Sequence, residues 1–178
     1  MDSTGDVVTM RPQATVQEIL DAYRKGEISQ EEAARGIEGL RIGMVEAMAR
    51  LDLGRTARCG IPEVVLAEGK DPGLLAEIVV RHVQATGRCL VTRIGEAQVP
   101  TVEERCREEQ IQVVRHPLAR ALVAFRGSEP ARHGGVVAVL TAGTADIPVA
   151  EEARVTAEEM GCTVRTAYDV GAAGIHRL

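Results

Sequence analysis

The chain has 178 residues, 45% hydrophobic and 26% charged, with a formal net charge of -5, no Trp, two Tyr and one Phe. That is enough apolar residue for one domain or two small ones. It gives neither the basic footprint nor the aromatic platform of a nucleic-acid surface. No apolar run approaches the ~20 residues that span a bilayer. The polar, acidic start MDSTGDVVTMRPQ is not a signal peptide, so the expected location is cytoplasmic.

Met1–Ala14 reads as a disordered N-terminus. Residues 15–60 read as a helical hairpin followed by a loop. Thr15–Lys25 is a helix with Thr15 as cap and Glu18 at the capping-box position. Gly26 ends it, and Ser29 caps a second helix to about Leu40, with Glu32 in the matching place. Such a pair is expected to pack on a neighbour or another subunit. Arg41–Gly60 shows no clear period. Its stretch RLDLGRTARCG carries Arg50, Arg55 and Arg58, a phosphate or carboxylate contact or, more plainly, a solvated loop.

From Ile61 the pattern is regular, and residues 61–126 read as a small α/β domain. Glu63–Ala67 is a strand, Glu68–Asp71 a turn, and Pro72 opens a helix to about Thr86. Arg88–Ile94 is a strand, Glu96 to about Glu109 a helix despite Pro100, and Ile111–Arg115 and Ala121–Arg126 are strands. The expectation is a βαβαβ unit. Lys70 directly follows a strand end, where it suits either an anion contact or a solvated turn. Gly127–Gly135 (GSEPARHGG) is turn-forming and reads as a linker.

A second unit begins at Val136. Val136–Leu140 is continuously apolar, the pattern of a strand buried on both faces. Thr141–Asp146 is a small polar turn. Ile147 onward has helix-start chemistry, with Pro148, Glu151 and Glu152 in or near the first turn. Strand, tight turn and helix N-terminus make an anion cradle. With one glycine and no Lys, this turn is neither a Rossmann fingerprint nor a P-loop. The plainer reading is a βα connection whose Asp146 caps the helix. Cys162–Ala167 is a second strand, leading into YDVGAAGIHR, Tyr168–Arg177. A crossover would bring both loops to one sheet edge. Asp146, Asp169, His176 and Arg177 are then expected to converge on one cleft. One strand-helix-strand is too little for a stable sheet, so completion by other chains, or a fragment ending at Leu178, is expected.

The four cysteines form no C-x-x-C and no zinc spacing. Cys89 and Cys162 begin strand-like runs and suit the core, while Cys106 lies on a charged helix. Cys59 stands beside Arg55 and Arg58, which favours a thiolate, though a free surface thiol is the plainer reading.

TAGTADIPVAEEA followed by YDVGAAGIHRL resembles the LarB family, the carboxylase/hydrolases of nickel-pincer nucleotide cofactor biosynthesis. IPEVVLAEGK, VTRI and HPLAR are similar to that family's N-terminal domain, so the resemblance runs from about Ala14 to Leu178. The fold it implies is α/β. A small N-terminal α/β domain precedes the first β-α-β of a PurE-like, flavodoxin-like parallel three-layer domain over residues 136–178.

The activity implied is carboxylation of nicotinic acid adenine dinucleotide at pyridinium C5 with CO2, then hydrolysis of its phosphoanhydride. The products are AMP and the biscarboxylated mononucleotide. Mg2+ is the cofactor that would suit pyrophosphate cleavage, and the family's octamers imply a homo-octamer. Gly143, Thr144 and Asp146 match the substrate-binding turn, in which Ala145 replaces a frequent Ser. Asp169, Gly174, His176 and Arg177 match the second loop. The resemblance implies that Asp146 orients substrate or CO2, His176 moves a proton or serves the carboxylate, and Arg177 pairs a carboxylate or phosphate. The family's nucleophilic cysteine is expected beyond Leu178 and falls on none of the four here. The competing readings are a purine-pathway aminoimidazole ribonucleotide carboxylase or mutase, which lacks residues 15–126, and a non-catalytic nucleotide-binding fragment.

Overall fold

The computed structural model describes residues 15–40, 43–45, 49–52, 54–55, 62–127, 130, 132 and 134–172. The expected disordered segment 1–14 lies outside them. Two helices come first, α1 (Val16–Arg24) and α2 (Gln30–Glu38), each opened by a complete capping box. Thr15 and Glu18 exchange their bonds, as do Ser29 and Glu32, so two orphan N–H groups are satisfied at each helix start. Ile19, Ile28 and Ala33 form a core private to this hairpin. A short antiparallel pair follows where the sequence shows no period, β1 (Gly43–Val45) with β2 (Ala49–Leu51).

The main sheet holds β3 (Val64–Leu66), β4 (Arg88–Thr92), β5 (Gln112–His116) and β6 (Ala121–Phe125). Helix α3 (Pro72–Thr86) connects β3 to β4, and α4 (Val99–Glu108) connects β4 to β5. The spatial order is β3-β4-β6-β5, with β3 and β4 parallel and β6 antiparallel to both neighbours. The expected βαβαβ unit is present, with β3, β4 and β5 all running the same way, but β6 inserts antiparallel between β4 and β5 and makes the sheet mixed. The turn Pro117–Arg120, closed by the Arg120 amide on the Pro117 carbonyl at 3.0 Å, returns the chain as a hairpin. Burial then decides the order. ALVAF of β6 is buried along nearly its whole length and takes the centre, while the polar QVVRH of β5 takes the edge.

Helix α4 starts three residues later than the sequence suggests. Pro100 can stand only in a first turn, and it does. The Gln98 side chain accepts from the Gly95 amide at 2.9 Å and donates to the carbonyls of Ala67 and Lys70 at 3.0 and 2.8 Å. It thereby ties the loops after β3 and β4 together.

Helices α3 and α4 cover one face of the sheet, with Leu75, Val79, Val91, Val102 and Leu122 at the centre of the core. The other face receives α5 (Ile147–Glu159), whose Val155 is 1% exposed among Leu90, Ala119, Ala121 and Val123. Arg88 and Glu159 lock the seam as an ion pair, with a second nitrogen at 2.8 Å. The Arg88 guanidinium also lies 4.8 Å from the Phe125 ring centroid. At the other end, Arg93 reaches Glu152 at 3.8 Å.

Helix α5 is also the crossover between β7 (Val136–Leu140) and β8 (Thr163–Ala167), which pair in parallel. Here a second expectation is corrected. β7 is not buried on both faces, since Val136 is 66% and Leu140 54% exposed. The apolar run has α5 behind one face and nothing over the other among the described residues.

Candidate functional site

The site is built where β7 and β8 end together. The ladder runs on past β7, with the Thr141 amide donating to the Ala167 carbonyl at 3.1 Å. It then joins the two loops directly. The Val170 amide donates to the Thr141 carbonyl at 3.0 Å and the Gly171 amide to the Ala142 carbonyl at 2.9 Å. The Asp169 amide donates to Thr141 Oγ1 at 3.1 Å, and Thr141 itself is 5% exposed. The two loops thus share one edge, as the crossover rule requires.

In the first loop Gly143 is extended, and a Cβ added to it would meet nothing within 4 Å. A single 3-10 turn, Thr144–Asp146, leads into α5, and Thr144, Ala145 and Asp146 are exposed. Asp146 holds the cap position of α5 without a side-chain capping bond, so its carboxylate is not used on its own helix. Pro148 lies in the first turn, and the first-turn amides of α5 and its dipole face the same space.

In the second loop Asp169 is exposed and left-handed, with φ 56. Tyr168, just before it, donates its hydroxyl to Glu151. Arg154 donates to both Glu151 oxygens at 2.9 Å and to Glu158 at 2.6 Å. The Arg154 guanidinium, followed by the Tyr168 hydroxyl, holds the Glu151 carboxyl below its usual range, against the opposing effect of burial. Burial pushes the Tyr168 phenol up, and the Glu151 carboxylate adds to the rise. His116, at the end of β5, feels this cluster. Burial lowers its pKa first and Arg154 lowers it further, against the neighbouring carboxylates of Glu151, Glu158 and Glu159.

Of the residues singled out from the sequence, Gly143, Thr144, Ala145, Asp146 and Asp169 stand on the two joined loops. Gly174, His176 and Arg177 lie outside the described residues, as do Arg58 and Cys59. Lys70 turns back on its own strand and donates to the Leu66 carbonyl at 2.7 Å, so its ammonium closes a turn. Cys106 is a core residue despite its charged helix, and burial pushes its thiol up to about 11. Burial raises the Cys89 thiol further still. Cys162 begins the far end of β8, in a cavity of about 340 Å³ with Arg88, Arg132, Glu158 and Glu159. None of these three thiols is at the loops.

Sequence reasoning missed Thr141, Tyr168 and Arg154. The spacing of Glu151, Arg154 and Glu158 places them on one helix face, a local signal that was there to be read. Among the described residues no three His, Cys, Asp or Glu side chains gather to hold a metal ion, and no helix is long and apolar enough to cross a membrane.

Residues 43–126 match a family model described as the LarB/PurE-like N-terminal domain. The chain is also similar to an uncharacterized protein of Methanocaldococcus jannaschii, 37% identical over 166 residues. That alignment covers 92% of this chain and 64% of the archaeal protein's length.

Proposed function

We infer that the chain, whose residues 43–126 match the LarB/PurE-like N-terminal domain, is LarB-like with a carboxylase-type role, and from that premise we propose the reaction. The substrate is nicotinic acid adenine dinucleotide. CO2 adds at pyridinium C5, water cleaves the phosphoanhydride, and the products are pyridinium-3,5-biscarboxylic acid mononucleotide and AMP. The product would enter nickel-pincer cofactor biosynthesis. The observation that carries the proposal is the pair of loops joined at the carboxyl ends of β7 and β8. In α/β sheets, ligands sit at such strand ends.

A pyridinium ring is electron-poor, so a nucleophile must first add to it before C5 can attack CO2. The C5 proton then leaves and the nucleophile is expelled. Thiolates are the nucleophilic form, and the raised thiols of Cys89 and Cys106 are buried in the N-terminal core. The covalent step is therefore assigned to none of the described cysteines. What this chain contributes is binding and orientation. The first-turn amides of α5 suit a phosphate, Asp146 orients the ring or CO2, and the Asp169 loop closes the other side. His176 and Arg177 are proposed for the proton and for the carboxylate. Any Mg2+ would ride with the pyrophosphate, and no step here is routed through it. We place the working protein as a homo-octamer, which would cover the outer face of β7.

The chain spans 64% of the length of its archaeal relative, and the full reaction is proposed for the whole protein. The test combines calorimetric binding of the dinucleotide with isotope-labelled bicarbonate and mass spectrometry of the products. This chain is expected to bind the dinucleotide. The whole protein is expected to yield AMP and a mononucleotide carrying one labelled carboxyl. A chain that fails to bind the dinucleotide overturns the proposal.

A further inference from the structure

Asp169 is flanked by side chains that are themselves tied into the fold. Its φ of 56 is left-handed, a region that Asp enters more readily than most residues with a Cβ, and Asp keeps there a carboxylate that glycine would lack. Glycine serves two residues later, at Gly171 with φ 78. Two anchors flank Asp169. On one side, the buried Thr141 takes the Asp169 amide on its hydroxyl oxygen at 3.1 Å and the Val170 amide on its carbonyl at 3.0 Å. On the other, the Tyr168 hydroxyl is fixed by Glu151. Glu151 is rigid in turn, because Arg154 binds both its oxygens and is itself tied to Glu158. The side chains of Glu151 and Arg154 are 14% and 23% exposed, half-enclosed and engaged with each other.

We propose that Thr141 and the Tyr168–Glu151 pair are positioning residues that set Asp169 against the first loop. The anchors come from the end of β7 and the second turn of α5, so the Asp169 loop takes its register from both elements that build the first loop. The proposal deepens the binding reading above and rests on the Asp169 loop facing the dinucleotide.

The test uses nicotinic acid adenine dinucleotide as probe and two readouts, calorimetric affinity and hydrogen exchange at the amides of residues 169–171. Thr141→Val keeps the side-chain shape and removes the acceptor, and Thr141→Ser restores it. Thr141→Val is expected to weaken binding roughly fivefold to tenfold, as loss of one hydrogen bond would, and to speed exchange at Asp169. Thr141→Ser is expected to stay near wild type in both, a rescue that general loss of packing would not give. Tyr168→Phe, which needs no repacking of the core, is expected to move both readouts the same way by a smaller amount. Thr141→Val with wild-type affinity and exchange overturns the proposal. Asp169→Gly tests the underlying reading separately. It is expected to keep the fold and lose affinity; if affinity survives, the binding role of Asp169 falls, while exchange in Thr141→Val still reports on the anchor.

Discussion

Two aspartates at helix starts do different work. Asp71 caps α3, accepting from the amides of Gly73 and Leu74 at 2.9 and 3.1 Å. Asp146 stands at the same position of α5 and makes no such bond. Asp71→Ala is therefore expected to cost about 1 kcal/mol in urea denaturation. Asp146→Ala is expected to stay within about 0.5 kcal/mol of wild type and to lose dinucleotide binding in calorimetry. Equal stability loss in the two variants would assign Asp146 to the helix instead of the site. At this scale the sequence is readable wherever the chemistry is local. Both capping boxes and the turn at Thr141–Asp146 follow from residues within a few positions of one another. Thr141 and Tyr168 were not readable, because their partners lie 28 and 17 residues away and depend on strand register.

Among the elements, α5 governs the arrangement. It is the crossover of β7 and β8 on one side and the cover of the main sheet on the other. Val155→Ala removes two buried methyl groups and is expected to cost about 2 kcal/mol, the transfer of two carbons plus a small cavity, measured by denaturation. Arg88 and Glu159, with side chains 24% and 12% exposed, form the companion test. A double-mutant cycle of Arg88→Met and Glu159→Gln is expected to give a coupling of roughly 1–3 kcal/mol, since the two side chains share one partly enclosed ion pair. The existence and type of nearly every element were legible, because period and punctuation fix them locally. The insertion of β6 between β4 and β5 was not, since strand order depends on which faces find cover. The exposure of β7 escaped for the same reason. Its five apolar residues describe what the strand can bury, not what is present to bury it.

For the whole molecule, histidine sets the response to pH. His82 is 2% exposed in α3 with no partner for Nδ1 among the described residues, and burial lowers its pKa from the usual 6.5. His116 is lowered as well. The unfolded chain thus binds more protons just below pH 6.5, so stability is full above that value and falls as pH drops through the window beneath it. A further loss is expected below pH 4.5, where Glu109 and Glu151, held low by Arg105 and Arg154, take up protons. Thermal melts are expected to be flat from pH 7 to about 8 and to fall below 6.5, with His82→Leu removing part of the first decline. A melt that rises on acidification contradicts this sign. Val136, Leu140 and Val149 stay exposed at this scale, so Val136→Lys with Leu140→Lys is expected to lower the sedimentation coefficient of an assembled protein without changing its circular dichroism.

Helix α5 bears a load at each end. In the proposed reading its N-terminus offers amides to a ligand, while Val155 and Glu159 farther along carry the seam with the main sheet, about 12 to 18 Å away along the axis. Occupancy and docking are therefore thermodynamically linked, and linkage is reciprocal. Ligand at a hundred times its dissociation constant would firm the seam by about 2.7 kcal/mol if only the docked form binds. By the same rule, loosening Val155 or Arg88 would weaken affinity from a distance. Under that reading the seam and the site share one helix as a common lever, so change in the N-terminal sheet would tune ligand affinity through α5.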